Sequence, residues 1–367
     1  MLINTKDLKR VCAAILPTVS NSEAIELSAK DRVLTLRVST SNYCLATRLS
    51  IGEDEEIVAT INAAKFLKLI GSISDDVEST KVTVTNNYVS IKANNSYKIA
   101  LETLSMNAID IANPTLSMTI DGDVLNNVLA YNSHELSKYS NVSSAIKPVQ
   151  TMYYLDQEGC ITFTDGACVN SFKLEKPIRL LLDQNIVRLF KLFKGDSVKF
   201  TLGYDPISET LIQTKVRFES PSIELTAITA CSSALIDQVP VNAIRSVATK
   251  SYFNSVVVDK NLMLQAIGRL LLFATTKAEA DFAVGAFSID QDGVKISWND
   301  NEDFVKAEVG SEIRSDYKFF GMIKDIKETL ETAIEQFVTI NYGDGKAIVI
   351  VHKGGAVRNV IPEVEDM

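Results

Sequence analysis

Arg188, Lys191 and Lys194 stand at i, i+3 and i+6 in the segment 183–194, where Ile186, Val187, Phe190 and Phe193 supply an apolar stripe. Cations along one side of an amphipathic helix are chemistry for anions, above all for the spaced phosphates of a nucleic acid. The arrangement recurs. In 5–15, Leu8, Val11, Cys12 and Ile15 form a stripe with Lys6, Lys9 and Arg10 on the other side; in 62–70, Phe66 and Ile70 point inward and Lys65 and Lys68 lie one turn apart. A fourth segment, 259–272, sets Lys260 and Arg269 against Asp259. Together the four carry +7 in a chain of net charge −9, which leaves −16 for the remainder. One basic helix face is ordinarily a solvated surface. Four in equivalent places of a repeat would make one continuous surface, and without interleaved aromatics it suits phosphates rather than base edges. The segment 123–139 (Asp123, Glu135, Lys138) and the segment 319–333 (Lys324 and Lys327 with Asp325, Glu328 and Glu331) do not share the charge, so that surface is expected to be uneven.

Other reactive chemistry is scarce. Of five cysteines (Cys12, Cys44, Cys160, Cys168, Cys231) none forms a Cys-x-x-Cys pair or lies beside a histidine at ligand spacing, so reduced thiols are expected. The two histidines, His134 and His352, are far apart in sequence. Asp165 stands before a glycine, where aspartate is usually a turn former. There is no nucleophile–base pair, phosphate-cradling glycine loop or carboxylate metal cluster, so no catalysis, metal or cofactor is expected. The longest apolar stretch, Leu262 to Ala274, is broken by Gln265 and Arg269, and the N-terminus lacks a secretory h-region; a cytoplasmic protein is expected.

The elements that position the basic residues repeat three times. Met1-Leu2-Ile3-Asn4-Thr5, Met118-Thr119-Ile120-Asp121 and Val256-Val257-Val258-Asp259 each run a short apolar strand into a helix, with Asn4, Asp121 and Asp259 117 and then 138 residues apart. Period-two alternation then predicts hairpins around Ala29-Lys30-Asp31-Arg32, Asn86-Asn87, Gln157-Glu158-Gly159, Gln291-Asp292-Gly293 and Gly343-Asp344-Gly345. A second helix recurs in each copy, entered at Asn62, at Asp183, and at Ser315 or Asp316 before Phe319 to Leu330. Resets at 108–114 and 236–254 predict domains 1–112, 113–238 and 239–367. The fold class is α+β, each domain packing two helices on antiparallel sheets.

Two motifs in register with this repeat carry a family resemblance. Phe163-Thr164-Asp165-Gly166 resembles the Thr-Asp-Gly turn of the bacterial sliding clamps, the β subunit of DNA polymerase III, and Val360-Ile361-Pro362 resembles their Val-Met-Pro ending. The resemblance covers all three domains and implies three repeated DNA-clamp domains. Two chains would join head to tail into a ring of six domains whose twelve helices line a hole around duplex DNA. It implies a processivity factor that tethers the replicative polymerase, with the clamp loader and other clamp-binding-motif proteins as further partners. The DNA-lining residues would be Lys6, Lys9, Arg10, Lys65, Lys68, Arg188, Lys191, Lys194 and Arg269. The partner-peptide pocket would use Val149, Thr164, Gly166, Ala167, Cys168, Val169, Val360, Ile361 and Pro362, although Val360 and Ile361 also fit a final buried strand. Departures mark a divergent member: Ala167-Cys168-Val169 replaces the family's His-Arg-Leu, Ser232-Ser233-Ala234-Leu235 stands where Phe-Pro-Asp-Tyr is usual, Gly321 stands for a tyrosine of the last helix, and the chain ends Glu363-Val364-Glu365-Asp366-Met367. The rival readings are a clamp-fold interaction protein that does not encircle DNA, and an enzyme of unknown class built on Asp165 and His134.

Overall fold

All three strand-to-helix junctions form, and at each a short side chain closes free helical N–H groups. Asn4 Oδ1 accepts from Asp7 N at 3.1 Å, Asp121 Oδ1 from Asp123 N at 2.8 Å, and Asp259 Oδ1 from Asn261 N at 2.7 Å and Leu262 N at 3.1 Å. The structure, a computed structural model, describes residues 1–103, 106, 108–137, 148–206, 212–229, 233–343 and 345–365. Lys138, Tyr139, Cys231, Ser232, Asp344, Asp366 and Met367, all used in the sequence reading, lie outside the described residues.

The first repeat runs β1 (Leu2–Asn4), α1 (Thr5–Ile15), β2 (Ala24–Lys30), β3 (Val33–Ser39), β4 (Tyr43–Ser50), β5 (Ile57–Asn62), α2 (Ala63–Gly71), β6 (Ser79–Val84), β7 (Tyr88–Lys92) and β8 (Ser96–Ala100). The second runs β9 (Pro114–Asp121), α3 (Gly122–Ser137), β10 (Tyr153–Asp156), β11 (Gly159–Phe163), β12 (Ala167–Ser171), β13 (Arg179–Leu182), α4 (Gln184–Arg188), β14 (Ser197–Pro206), β15 (Ile212–Glu219) and β16 (Ile223–Thr229). Two connecting helices, α5 (Ser233–Ile236) and α6 (Val241–Thr249), precede the third: β17 (Asn254–Asp259), α7 (Lys260–Leu271), α8 (Lys277–Asp281), β18 (Val284–Ile289), β19 (Gly293–Trp298), β20 (Asn301–Lys306), β21 (Tyr317–Met322), α9 (Ile323–Thr332), β22 (Phe337–Tyr342), β23 (Ala347–His352) and β24 (Val357–Pro362).

Repeats and compact units do not coincide. One unit holds 1–129 and 180–232, the other 130–179 and 233–367. The reason is strand pairing between successive repeats. In unit one a single antiparallel sheet runs β5-β2-β3-β4-β16-β15-β14-β9, joined where Leu45 of β4 pairs with Leu225 of β16. A second sheet, β13-β10-β11-β12-β24-β23-β22-β17, has all its strands but β13 in unit two and is joined where Ala167 of β12 pairs with Val360 of β24. Each unit also carries a four-stranded sheet, β1-β6-β7-β8 in the first and β20-β19-β18-β21 in the second.

The hairpins match the alternation, with a tighter first turn than expected. Lys30 pairs directly with Val33, and Asp31 and Arg32 alone make the turn at φ of 52° and 59°, the signature of a two-residue hairpin loop. Two helix expectations change. The segment 183–194 is α-helical only over α4, capped by Asp183, and then tightens into a 3-10 turn at Leu189–Phe193. Phe190 and Phe193 set this geometry by packing on Phe218, with ring centroids at 4.9 and 6.3 Å. The last helix begins at Ile323, not near Ser315 or Asp316, and Met322 gives it no side-chain cap. Residues 317–322 form a strand because Phe319 and Gly321 face the core while Lys318 and Phe320 face out. Gly321 is therefore a strand residue opposite Gly285, not a helix position. A Cβ on Gly285 would stand 2.8 Å from Ile323 Cγ1, so the paired glycines make room for the first turn of α9.

Candidate functional site

Three helical elements of unit one bring most of the basic residues together. Lys9 Nζ on α1 donates to the Ile73 carbonyl just past α2 at 2.6 Å. On the other side of α1, Lys191 Nζ donates to the Ala13 carbonyl at 3.2 Å. The order is α2, α1, then the 3-10 turn, with the apolar stripes buried beneath. Lys6, Arg10, Lys65, Lys68, Arg188, Lys191 and Lys194 are exposed on this face. Burial and then the neighbouring Arg188 cation hold the Lys191 ammonium below its usual pKa, the expected effect of gathering like charge. Because 3-10 side chains three apart eclipse, Arg188 and Lys191 align, whereas Lys194 leaves the helix at ψ 124°.

Two of the nine expected DNA-lining residues are already held by carboxylates. Lys9 forms a close ion pair with Asp75. Arg269 grips Asp303 of β20 with Nε at 2.5 Å and Nη2 at 2.9 Å, and the guanidinium keeps the Asp303 carboxyl below its usual range. Such a bidentate fork leaves little of the arginine for phosphate.

The nine expected pocket residues gather in unit two, and most of them are buried. Thr164 N donates to the Gly166 carbonyl at 3.0 Å, closing the Thr-Asp-Gly turn, and Thr164 Oγ1 donates to Glu135 Oε1 of α3 at 2.5 Å. A Cβ on Gly166 would stand 2.5 Å from the Val360 carbonyl, so glycine allows β24 to lie against the turn. Val149, Ala167, Cys168, Val169 and Ile361 are buried. Strand alternation divides the rest. Cys168 faces α3, its Sγ donating to the Tyr131 carbonyl at 3.2 Å, and Ile361 joins the apolar core. Ala167, Val169, Val360 and Pro362 face the opposite side, where Arg358 Nη1 donates to the Ala248 carbonyl of α6 at 3.0 Å. Only Thr164, Val360 and Pro362 are half-exposed.

Both histidines lie under this region. His134 Nδ1 is 2.9 Å from the Tyr131 carbonyl, and Asn359 Nδ2 donates to His352 Nε2 at 3.1 Å. Burial pushes the His352 pKa down to about 4; Glu335 opposes this, while His134, Lys353 and Lys260 add to it. Unfolded histidine titrates near about 6.5. The unfolded chain therefore binds the extra proton between those values, and neutral His352 stabilises the fold fully only above about pH 6.5. As pH falls through the window toward about 4, on the order of 3 kcal/mol should be lost. Thermal melting above and within the window tests this: wild type should lose stability more steeply than His352→Asn, and parallel curves would reject it.

Asp165 is an exposed turn residue and His134 is buried. Among the described residues no group of three His, Cys, Asp or Glu could hold a metal ion, and no helix is long and apolar enough to cross a membrane.

No protein-family model matches the chain, and no curated protein matches it by sequence. Solved structures match over its full length. The DNA polymerase III subunit beta of Pseudomonas aeruginosa superposes with a TM-score of 0.72 at 13% identity, covering 100% of this chain and 99% of that one. The sliding clamp of Bacillus subtilis gives 0.71 at 15%, covering 100% and 99%, and the DNA polymerase III subunit beta of Borrelia burgdorferi, in complex with a natural product, gives 0.73 at 12%, covering 99% and 98%. The chain has the fold of a bacterial sliding clamp.

The sequence reading missed how this clamp fold finishes the outer face of the β12–β24 junction. The stretch 236–254, where the repeat pattern resets, carries α6, which packs on both strands. Val239 and Pro240 lead into it. A groove of about 470 Å³ opens beside α6, lined in part by Tyr154, Asp156, Arg179, Pro240 and Arg245. Arg245 Nη2 lies 2.7 Å from Asp156 and Nη1 2.9 Å from Glu158. The available signal was Val241, Ile244 and Ala248 at helical spacing after a proline.

Proposed function

We propose that the chain is a DNA sliding clamp: two copies close head to tail around duplex DNA and tether a DNA polymerase, without catalysis of their own. The observation that carries this reading is a strand position used twice. β4 and β12 each end the first sheet of their repeat, and each pairs with the last strand of the next repeat, β16 or β24. The third strand of that kind, β20, is a sheet edge, and so is β8, the last strand of the first repeat. Pairing β20 of one copy with β8 of another repeats the internal junction and satisfies two open edges. Apolar residues stand ready beside β20: Leu272 is 81% exposed, Phe273 55% and Phe304 47%. Since Asn4 and Asp259 head equivalent helices, Leu272 and Phe273 correspond to Pro17 and Thr18, and the Pro17 carbonyl accepts from Arg188 of the following repeat.

On this reading the DNA face consists of Lys6, Arg10, Lys65, Lys68, Arg188, Lys191 and Lys194, with Lys9 and Arg269 serving structure. The domains are 1–112, 113–238 and 239–367. Peptides of the polymerase, a clamp loader and other clamp-binding proteins would enter at the outer face of the β12–β24 junction, which carries Val360 and Pro362. The deciding experiment is topological: the assembled protein should stay on circular DNA and slide off the same DNA once linearised. Equal retention on both forms, or a monomer that is never retained, rejects the clamp; a dimer retained on neither favours a clamp-fold interaction protein.

A further inference from the structure

The outer faces of the first two repeats' opening sheets are covered by the segments that lead out of those repeats. On β2-β3-β4, Ile109 and Asp110 lie with Arg37 and Cys44 around one cavity, and Asp110 accepts from Arg217 at 3.3 Å. On β12, α6 lies down and fixes Arg245 to Asp156 and Glu158. The matching face of the third repeat, on β18-β19-β20, carries no such connecting segment among the described residues. It holds instead a groove of about 610 Å³, lined by Phe282, Phe320 and the largely buried Trp298 and rimmed by Glu279, Asp300 and Glu302.

The groove is built for an apolar segment bearing a cation. Phe282 is 74% exposed, an unusual state for so large an apolar ring. No lysine or arginine is among the residues that line the groove, and the cation nearest its aromatic wall is Lys318, whose Nζ lies 4.7 Å from the Phe320 ring centroid. Glu279 is held in place: its Oε2 accepts from Thr275 N at 2.7 Å and its Oε1 from Asn299 Nδ2 at 3.1 Å. Asp300 occupies a turn at φ 58°, and Glu302 is steadied from beside the groove by Lys295 at 2.5 Å. We propose that this groove docks a short partner segment with aliphatic side chains next to a lysine or arginine, covering the third repeat as Arg245 and α6 cover the second. The carboxylate rim would take the cation, as Asp156 and Glu158 take Arg245, while the aromatic walls bury the aliphatic groups. The inference rests on the internal repeat and does not require that the protein encircle DNA.

Trp298, the chain's only tryptophan, is the reporter. Titrating the full chain with a short amphipathic Leu/Lys peptide should give a saturable change in its emission, and a Leu/Glu peptide of equal length should not. The double variant Asp300→Asn, Glu302→Gln and, separately, Phe282→Ala should each weaken binding about tenfold or more, a large effect for one binding contact. Asparagine tolerates the positive φ at 300 and Phe282 is exposed, so both proteins should melt like wild type. Unchanged Trp298 emission, equal binding of the Leu/Glu peptide, or wild-type affinity in both variants would overturn the proposal. The readout involves no DNA, so a protein that fails to form a ring still answers the question.

Discussion

Leu272→Asp combined with Phe273→Asp should turn the assembled protein into monomers of 40.3 kDa and abolish retention on circular DNA. The two side chains sit at the end of α7, which packs on β20, and are 81% and 55% exposed in the single chain. A protein rarely leaves two such neighbours in water without a partner surface. Fully burying each is worth about 1.5–3 kcal/mol, so losing both from an interface costs roughly two to four orders of magnitude in dissociation constant. Aspartate adds the cost of desolvating a charge. Because both residues are exposed, the monomer should keep its secondary structure and melt near wild type. Light scattering decides the matter: a double variant that still weighs as a dimer removes β20 and its neighbours from the interface.

Reversing Arg10, Lys68 and Lys194 to glutamate should weaken DNA association uniformly across sequences and flatten its salt dependence. Each phosphate contact contributes about 0.9 to the slope of log K against log salt, so three lost contacts should reduce it by about 2.7. These three serve better than Lys191, which also bonds the Ala13 carbonyl and whose loss would disturb the packing of α1. No carboxylate pairs with them among the described residues, so stability should change by less than about 0.5 kcal/mol. An unchanged slope would place the DNA face elsewhere. The matched control is Arg269→Glu, which should destabilise through its broken bond to Asp303 while leaving the slope largely intact.

Which of these residues could be read in advance depended on the range of the interaction that governs them. Asn4, Asn62, Asp183 and Asp259 were legible as helix caps because each acts on N–H groups two or three residues away. The hairpins at Asp31-Arg32 and Gln157-Glu158 were legible because alternation and turn residues adjoin. The last helix was misplaced because Phe319 and Gly321 are compatible with either period, and their choice of a strand depends on Phe287 and Gly285 across the sheet. The pocket residues were named from two short motifs, but alternation along β12 and β24 turns Cys168 and Ile361 to one side and Val169 and Val360 to the other. A three-residue motif does not record which side α6 will cover.

By itself the sequence determined the threefold repeat, the strand-cap-helix junctions and the concentration of cations on helices, since all are set by neighbours within a turn or a hairpin. Only the tertiary structure decided which cations remain available and which strands of successive repeats pair. Lys9 meets Asp75 across 66 residues and Arg269 meets Asp303 across 34, distances over which no local pattern announces a partner. The pairings of β4 with β16 and of β12 with β24 likewise join strands from different repeats, because a sheet gains hydrogen bonds by closing an open edge, whatever the order of its strands in the chain.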